Sequence, residues 1–197
     1  MIYIENVTKA YGTRIVLNNL TLEFPKQETT VIMGPSGCGK TTLLNLLLGL
    51  QKPDRGTIGG LEGARLAAVF QEDRLCPQLS ARDNILLVLK ENYFLSRIEA
   101  AAAEIDLDIE SLGRSAAKLS GGQKRRTAIL RAMLAESDLV CLDEPFKGLD
   151  QHTKYRTMDF VKRNIQGKTA VIITHDSAEA SYFKGHRFNM TPDGGLM

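Results

Sequence analysis

The sequence predicts an α/β fold organised on a central parallel sheet. Three observations predict it. A glycine-rich loop, Gly34-Pro35-Ser36-Gly37-Cys38-Gly39-Lys40-Thr41, joins a short apolar, β-branched run to a helical run. Further short apolar runs, at residues 67–70, 139–142 and 171–174, end in polar residues, as buried strands of an open α/β sheet do where they meet a ligand. Between the first two of these runs, residues 73–118 change to a helical, partly alanine-rich pattern, which reads as an insertion.

At 197 residues the chain fits one domain, or one domain with a subdomain. A hydrophobic content of 43% and a charged content of 24% are those of a chain that can bury a core. A net charge of +2 is too near neutral to argue for nucleic acid. No apolar run approaches the ~20 residues that span a membrane. The first residues, Met1-Ile2-Tyr3-Ile4-Glu5-Asn6, lack the basic-then-apolar order of a signal peptide. Cys38, Cys76 and Cys141 are dispersed without metal-ligand spacing, so reduced thiols and a cytosolic chain are expected.

The elements follow in order. Residues 1–33 read as strands, with Ile2, Ile4 and Val7 apolar and Leu20-Thr21-Leu22-Glu23-Phe24 alternating. Tyr11-Gly12 falls in a turn between strands; an aromatic there can stack on an adenine base or serve as an ordinary turn residue, and the residues leave both readings open. In the glycine loop, Gly34, Gly37 and Gly39 let backbone N–H groups approach an anion. The following helix, Thr42 onward to a C-terminal cap at Gly49, adds orphan N–H donors and a partial positive charge. Lys40 reaches the β- and γ-phosphates of such a ligand and the Thr41 hydroxyl ligates Mg²⁺. The loop thus predicts nucleoside triphosphate binding.

Lys52-Pro53-Asp54-Arg55-Gly56 is a turn cluster, and Thr57-Ile58 a short strand ended by Gly59-Gly60. Gln71 ends the strand at residues 67–70, where it contacts ligand or faces solvent; position alone favours solvent. Ser80-Ala81-Arg82-Asp83 opens a helix as a capping box. Leu119-Ser120-Gly121-Gly122-Gln123 is a second glycine turn before a helix, legible at residues 127–135, and hence a second anion site. Lys124-Arg125-Arg126 reads as a solvated helix face. Asp143 and Glu144 end the run at 139–142, where one carboxylate holds the Mg²⁺ shell through water and the second polarises an attacking water. Lys147-Gly148-Leu149-Asp150 is a turn and residues 155–164 a helix. The run at 171–174 is the last clear strand. A lone histidine is usually structural, but His175 stands at the strand's carboxyl end, as do Gln71 and Asp143, which favours contact with a γ-phosphate.

In this order the pieces resemble the nucleotide-binding subunits of ATP-binding-cassette (ABC) transporters over nearly the whole chain. The matching parts are the aromatic loop at Tyr11, the Walker A loop from Gly34 to Thr41 with Thr42 beside it, the Q-loop at Gln71, the signature from Leu119 to Gln123, the Walker B strand ending at Asp143-Glu144, the D-loop at Asp150 and the switch histidine His175. The signature is the most specific, arising by chance in roughly one chain of this length in several thousand at average composition. The resemblance implies a P-loop NTPase, with a RecA-like parallel core sheet, an N-terminal antiparallel β-subdomain and an α-helical insertion. Within a single ATPase domain, residues 1–72 and 124–197 would form the β-subdomain and core, and residues 73–123 the helical signature subdomain. It implies ATP and Mg²⁺ as ligands and a head-to-tail dimer. Walker A of one copy would face Ser120, Gly121, Gly122 and Gln123 of the other, with Asp150 communicating between them. Tyr11 would stack on adenine, Thr41 and Gln71 would ligate Mg²⁺ with Asp143 holding a coordinated water, Glu144 would be the general base, and His175 would hold the γ-phosphate.

The segment Val69-Phe70-Gln71-Glu72-Asp73-Arg74-Leu75 resembles Q-loops of cassettes importing nitrate, sulfonates, taurine or thiamine precursors, and Asp143-Glu144-Pro145-Phe146 also suits bacterial import cassettes. Implied partners are integral-membrane permease subunits and a solute-binding protein, with no nucleic acid, and the implied place is the cytoplasmic face of the cell membrane. Departures are Gln78 after Pro77 where an aromatic is usual, Lys147-Gly148 in the D-loop, and a short strand region between Gly56 and Phe70. The alternative is a soluble ABC-type ATPase acting in assembly or repair rather than transport.

Overall fold

The computed structural model describes residues 1–90 and 95–195. The chain divides into two compact units: Met1–Leu66, Ser137–Glu144 and Gly167–Met197 form the first, and Ala67–Glu136 and Pro145–Gln166 the second.

The first unit holds two sheets. Strands β1 (Ile2–Tyr11), β2 (Arg14–Phe24) and β4 (Arg55–Gly59) form an antiparallel sheet in the order β2-β1-β4. Its alternation is clean on one face, with Ile2, Ile4, Val7, Leu17, Leu20, Leu22 and Phe24 all buried. The β1–β2 ladder slips register between Ile4 and Val7 and between Val7 and Lys9. Asn6 and Asn19 take up the slips at φ of 50° and 49°, a region Asn tolerates better than most residues. Each freed amide is recovered by a threonine: Asn6 donates its N–H to Thr21 Oγ1 at 3.0 Å and Asn19 to Thr8 Oγ1 at 3.1 Å. The alternating segment at 20–24 is therefore the end of one longer, irregular strand that starts at Arg14.

The second sheet is parallel. Strands β3 (Thr29–Met33), β6 (Leu139–Asp143), β7 (Thr169–Ile173) and β8 (His186–Asn189) run in the order β6-β7-β3-β8. Every residue of β6 and β7 is buried, which is why these strands read as continuous apolar runs. Registers Ile32↔Ile173 and Asp143↔Ile173 align the carboxyl ends of β3, β7 and β6. Helix α1 (Lys40–Leu47) packs on β2 and β6 through buried Leu43, Leu44, Leu46 and Leu47. Strand β8 and helix α7 (Ser177–Tyr182) extend the fold beyond the strand read as the last.

The second unit begins at Ala67, within β5 (Leu66–Val69), and its regular elements are otherwise helical: α2 (Ala81–Leu86), α3 (Leu95–Glu104), α4 (Ile109–Gly113), α5 (Gly121–Leu134) and α6 (Gln151–Asn164). α5 packs against α2 and α6, around a core that includes Ile85, Ala128, Ile129, Met133, Phe160 and Val161. The carboxyl end of α3 is closed by two guanidinium groups, which suit the negative end of a helix. Arg126 donates to Ile105 O and Asp106 O, and Arg156 to Ala103 O and Glu104 O.

Candidate functional site

Strand β3 delivers the chain into the glycine loop at Gly34, whose φ is 146°. A Cβ there would stand 2.7 Å from Met190 O, so the close passage of residue 190 admits glycine alone. Gly39, at φ 102°, is the N-cap of α1 and makes no side-chain cap. By contrast α2, α4, α5, α6 and α7 are capped by Ser80, Asp108, Ser120, Asp150 and Asp176. The first-turn amides of α1 are thereby left for an external anion.

Lys40 is only 8% exposed. Its ammonium donates to Gly34 O and Pro35 O, both at 2.8 Å, and lies 3.8 Å from Cys38 Sγ. It thus sits inside the curl of Pro35, Ser36, Gly37 and Cys38, held by the loop's own carbonyls. Arg14, at the start of β2, donates to Gly37 O at 3.3 Å. No sequence pattern pointed to this contact, because it depends on how β2 passes the loop.

The Thr41 hydroxyl donates to Asp143 Oδ2 at 2.7 Å. The bond spans 102 positions of sequence and brings the glycine loop and the end of β6 to one place. Asp143 is buried. Glu144, next in the chain, has φ of 45° and donates its N–H to Ile173 O at 2.9 Å. A non-glycine residue in this region costs on the order of 1–3 kcal/mol and persists where its surroundings over-determine it. The result aims the carboxylate at His175, whose Nδ1 is 3.0 Å from Glu144 Oε1. The imidazole itself is 64% exposed. Thr42 stands in the first turn of α1 beside Thr41.

Tyr11, 46% exposed, ends β1 with its ring accessible and its hydroxyl donating to Gln51 Oε1 at 2.5 Å. Lys9 Nζ lies 5.8 Å from the ring centroid. The first unit therefore brings together Lys40, Thr41, Asp143, Glu144 and His175, with Tyr11 at the end of β1.

The remaining expected residues lie in the second unit. Gln71 follows β5, is exposed, and its carbonyl accepts from Arg125 Nη2. Ser120 is the N-cap of α5 and forms a complete capping box with Gln123. Ser120 Oγ accepts the Gln123 N–H at 3.3 Å and Gln123 Oε1 accepts the Ser120 N–H at 2.9 Å. The other end of the Gln123 amide donates to Ser111 Oγ at 2.7 Å. Gly121 and Gly122 are thus the first turn of α5 rather than a loop ahead of it, and the helix begins six residues before the expected start at 127. The S-x-x-Q spacing carried that signal. Asp150 caps α6, its carboxylate accepting the Thr153 N–H at 3.0 Å; these bonds hold its pKa below the usual carboxylate range.

The basic triplet after the signature does not form the solvated face expected of it. Arg125 is 7% exposed and donates into the backbone after β5, and Arg126 donates to Gly122 O at 3.2 Å as well as to the end of α3. Guanidinium forks reach backbone carbonyls that the triplet's charge alone does not reveal.

The sequence family described as ABC transporter matches residues 17–147. The taurine import ATP-binding protein TauB of Pseudomonas aeruginosa is 41% identical over 184 residues, covering 86% of this chain and 69% of that protein. The aliphatic sulfonates import ATP-binding protein SsuB 1 of Rhizobium johnstonii is 37% identical over 191 residues, covering 91% of this chain and 69% of that protein. Among solved structures, the dimeric bacterial ABC transporter cassette MJ0796 superposes with a TM-score of 0.87 at 28% identity, covering 100% of this chain and 96% of that one. The same cassette is known in a post-hydrolysis state bound to ADP and Pi, with equal likeness. With its glycine loop, Asp143-Glu144 pair and His175 assembled on a P-loop NTPase core, this chain belongs to the ABC transporter family as an ATP-binding, ATP-hydrolysing subunit.

Proposed function

We propose that this chain powers solute import through integral-membrane permease subunits, by closing head to tail with a second cassette on ATP. The observation that carries the proposal is the Thr41–Asp143 bond of 2.7 Å beside the Glu144–His175 contact of 3.0 Å. One cluster then holds a phosphate-loop hydroxyl, a buried carboxylate, a candidate base and a titratable ring. The likeness to import subunits for taurine and aliphatic sulfonates supports import as the direction of transport.

In this reading the α1 amides and Lys40 bind the β- and γ-phosphates. Lys40 exchanges its bonds to Gly34 O and Pro35 O for phosphate oxygens. Tyr11 stacks on adenine. Ser120, Gly121, Gly122 and Gln123 of a second copy present the α5 N-terminus to the same γ-phosphate, and Asp150 lies in the segment that answers it. Glu144 takes a proton from, or orients, the attacking water. His175 donates to the γ-phosphate once Glu144 has turned to the water. Loss of that phosphate reopens the dimer.

The residues present fit Mg²⁺. Thr41 and Asp143 offer hard oxygen donors, and Gln71 offers an amide oxygen. Among the described residues no group of three or more His, Cys, Asp or Glu side chains could hold a metal ion. Bound Mg²⁺ would neutralise charge developing on the phosphates.

No helix among the described residues is long and apolar enough to cross a membrane. The likeness to import ATP-binding subunits supports a peripheral place on the cytoplasmic face against the permease. Affinity purification of the full chain from its own cells tests the reading: an integral-membrane protein and a solute-binding protein are expected to accompany it. A stable soluble complex with ribosomes or nucleic acid and no membrane protein would overturn it.

A further inference from the structure

The segment that follows β5 has no regular structure, yet its backbone is held at almost every step. Arg125 Nη1 donates to Phe70 O at 2.6 Å, Nη2 donates to Gln71 O, and Nε lies 3.2 Å from Asp73 Oδ1. Six residues further along α5, Arg131 donates from Nη1 to Arg74 O at 3.0 Å and from Nη2 to Asp73 O at 3.3 Å. Arg74 turns at φ 44° and lays its guanidinium 3.7 Å from the Phe70 ring centroid, which closes the segment on itself. Loop carbonyls ordinarily face water. Here those of Phe70, Gln71, Asp73 and Arg74 converge on two arginines of one helix, and the Arg125 side chain is nearly buried in reaching them. That helix begins at the Ser120–Gln123 capping box.

We propose that Arg125 and Arg131 are positioning residues that clamp residues 70–74 onto α5, so that Gln71 and the signature turn are presented by one rigid body. Arg125 alone donates to two carbonyls and pairs its charge with Asp73, a pattern that a planar fork meets and an ammonium does not. A displacement of the Q-loop backbone is therefore carried along α5 to Ser120, and the reverse holds equally. The clamp rests on the reading of Gln71 as a contact to the Mg²⁺–nucleotide.

The test uses the full chain and four variants: Arg125→Met, Arg125→Lys, Arg131→Met and Gln71→Ala. Hydrogen exchange is followed at residues 70–74 and at residues 127–134, without nucleotide. ATP affinity is measured by calorimetry in Mg²⁺ and in EDTA. Arg125→Met is expected to speed exchange at 70–74, leave 127–134 protected, and cut the gain in ATP affinity that Mg²⁺ confers by about tenfold, with affinity in EDTA unchanged. Arg125→Lys, which keeps the charge without the fork, is expected to fall between. Unchanged exchange at 70–74 in Arg125→Met overturns the clamp, and so does equal loss of protection throughout α5. If Arg125→Met does not fold, Arg131→Met, which removes one half of the clamp, is read by the same criteria. If Gln71→Ala leaves the Mg²⁺ gain intact, the role of Gln71 fails, while the exchange data still judge the clamp.

Discussion

Replacing Glu144 by Gln isolates the charge of one carboxylate. The two side chains have the same shape, and the amide oxygen can accept from His175 Nδ1 as Oε1 does now at 3.0 Å. The backbone bond from Glu144 N–H to Ile173 O at 2.9 Å and the φ of 45° are common to both proteins. Stability should therefore change little. What the variant loses is the capacity to accept a proton from water. General-base catalysis is worth roughly 10²–10⁴-fold, or about 2.7–5.4 kcal/mol of barrier. Steady-state phosphate release by the isolated chain, or by its membrane complex, should fall by at least about a hundredfold. ATP binding should persist, and size-exclusion chromatography with ATP should show an accumulated dimer. A turnover within twofold of the parent, measured on folded protein, would remove Glu144 from the chemistry and leave its strained backbone to be explained by packing alone.

Four further outcomes follow from other parts of the molecule. Tyr11→Ala should weaken ATP binding while leaving the far-ultraviolet spectrum unchanged; equal affinity by titration calorimetry would make Tyr11 an ordinary turn aromatic. Ser120→Ala removes the Oγ that accepts the Gln123 N–H and should cost about 1 kcal/mol in denaturant unfolding. Its ATP-driven dimerisation should fall further than that loss accounts for, and Ser120→Thr should restore both. Gly34→Ala places a Cβ 2.7 Å from Met190 O and should lower the thermal midpoint and abolish nucleotide binding together. Hydrogen bonds from Arg65 hold the Asp138 carboxyl down to about 2. A depressed folded pKa stabilises above the unfolded value of 3.8 and loses that contribution as pH falls from there toward 2. An NMR titration of Arg65→Met, which keeps the backbone N–H bond of 2.9 Å to Asp138 Oδ2, should move Asp138 part of the way back toward 3.8, with less acid sensitivity of stability between those two values.

The parts of this fold that were legible in sequence are those whose signal is local. β6 and β7 are buried throughout and β3 at its three central residues, so Val31-Ile32, Leu139–Leu142 and Ala170–Ile173 read as apolar runs. The glycine loop and the signature declare themselves through residue types that few other structures require. The parts that were not legible depend on distant neighbours. Strand β8 is mostly exposed and polar, and it is a strand because β3 offers it a free edge. Asn6 and Asn19 break the β1–β2 ladder, and threonines 15 and 11 positions away repair it. Arg125 looked like a surface charge because its acceptors, Phe70 and Gln71, lie more than fifty residues upstream. Likewise the sequence located Glu144 and His175 but could not foresee their pairing, which requires the positive φ at Glu144.

The Lys40 ammonium is bound to Gly34 O and Pro35 O. An incoming anion must displace both carbonyls before it meets the ammonium. A lone phosphate ion offers a single charged centre for that exchange. A polyphosphate can engage the α1 amides with one group and compete for the ammonium with the next. The loop therefore discriminates by chain length of the phosphate before any contact with the base is made.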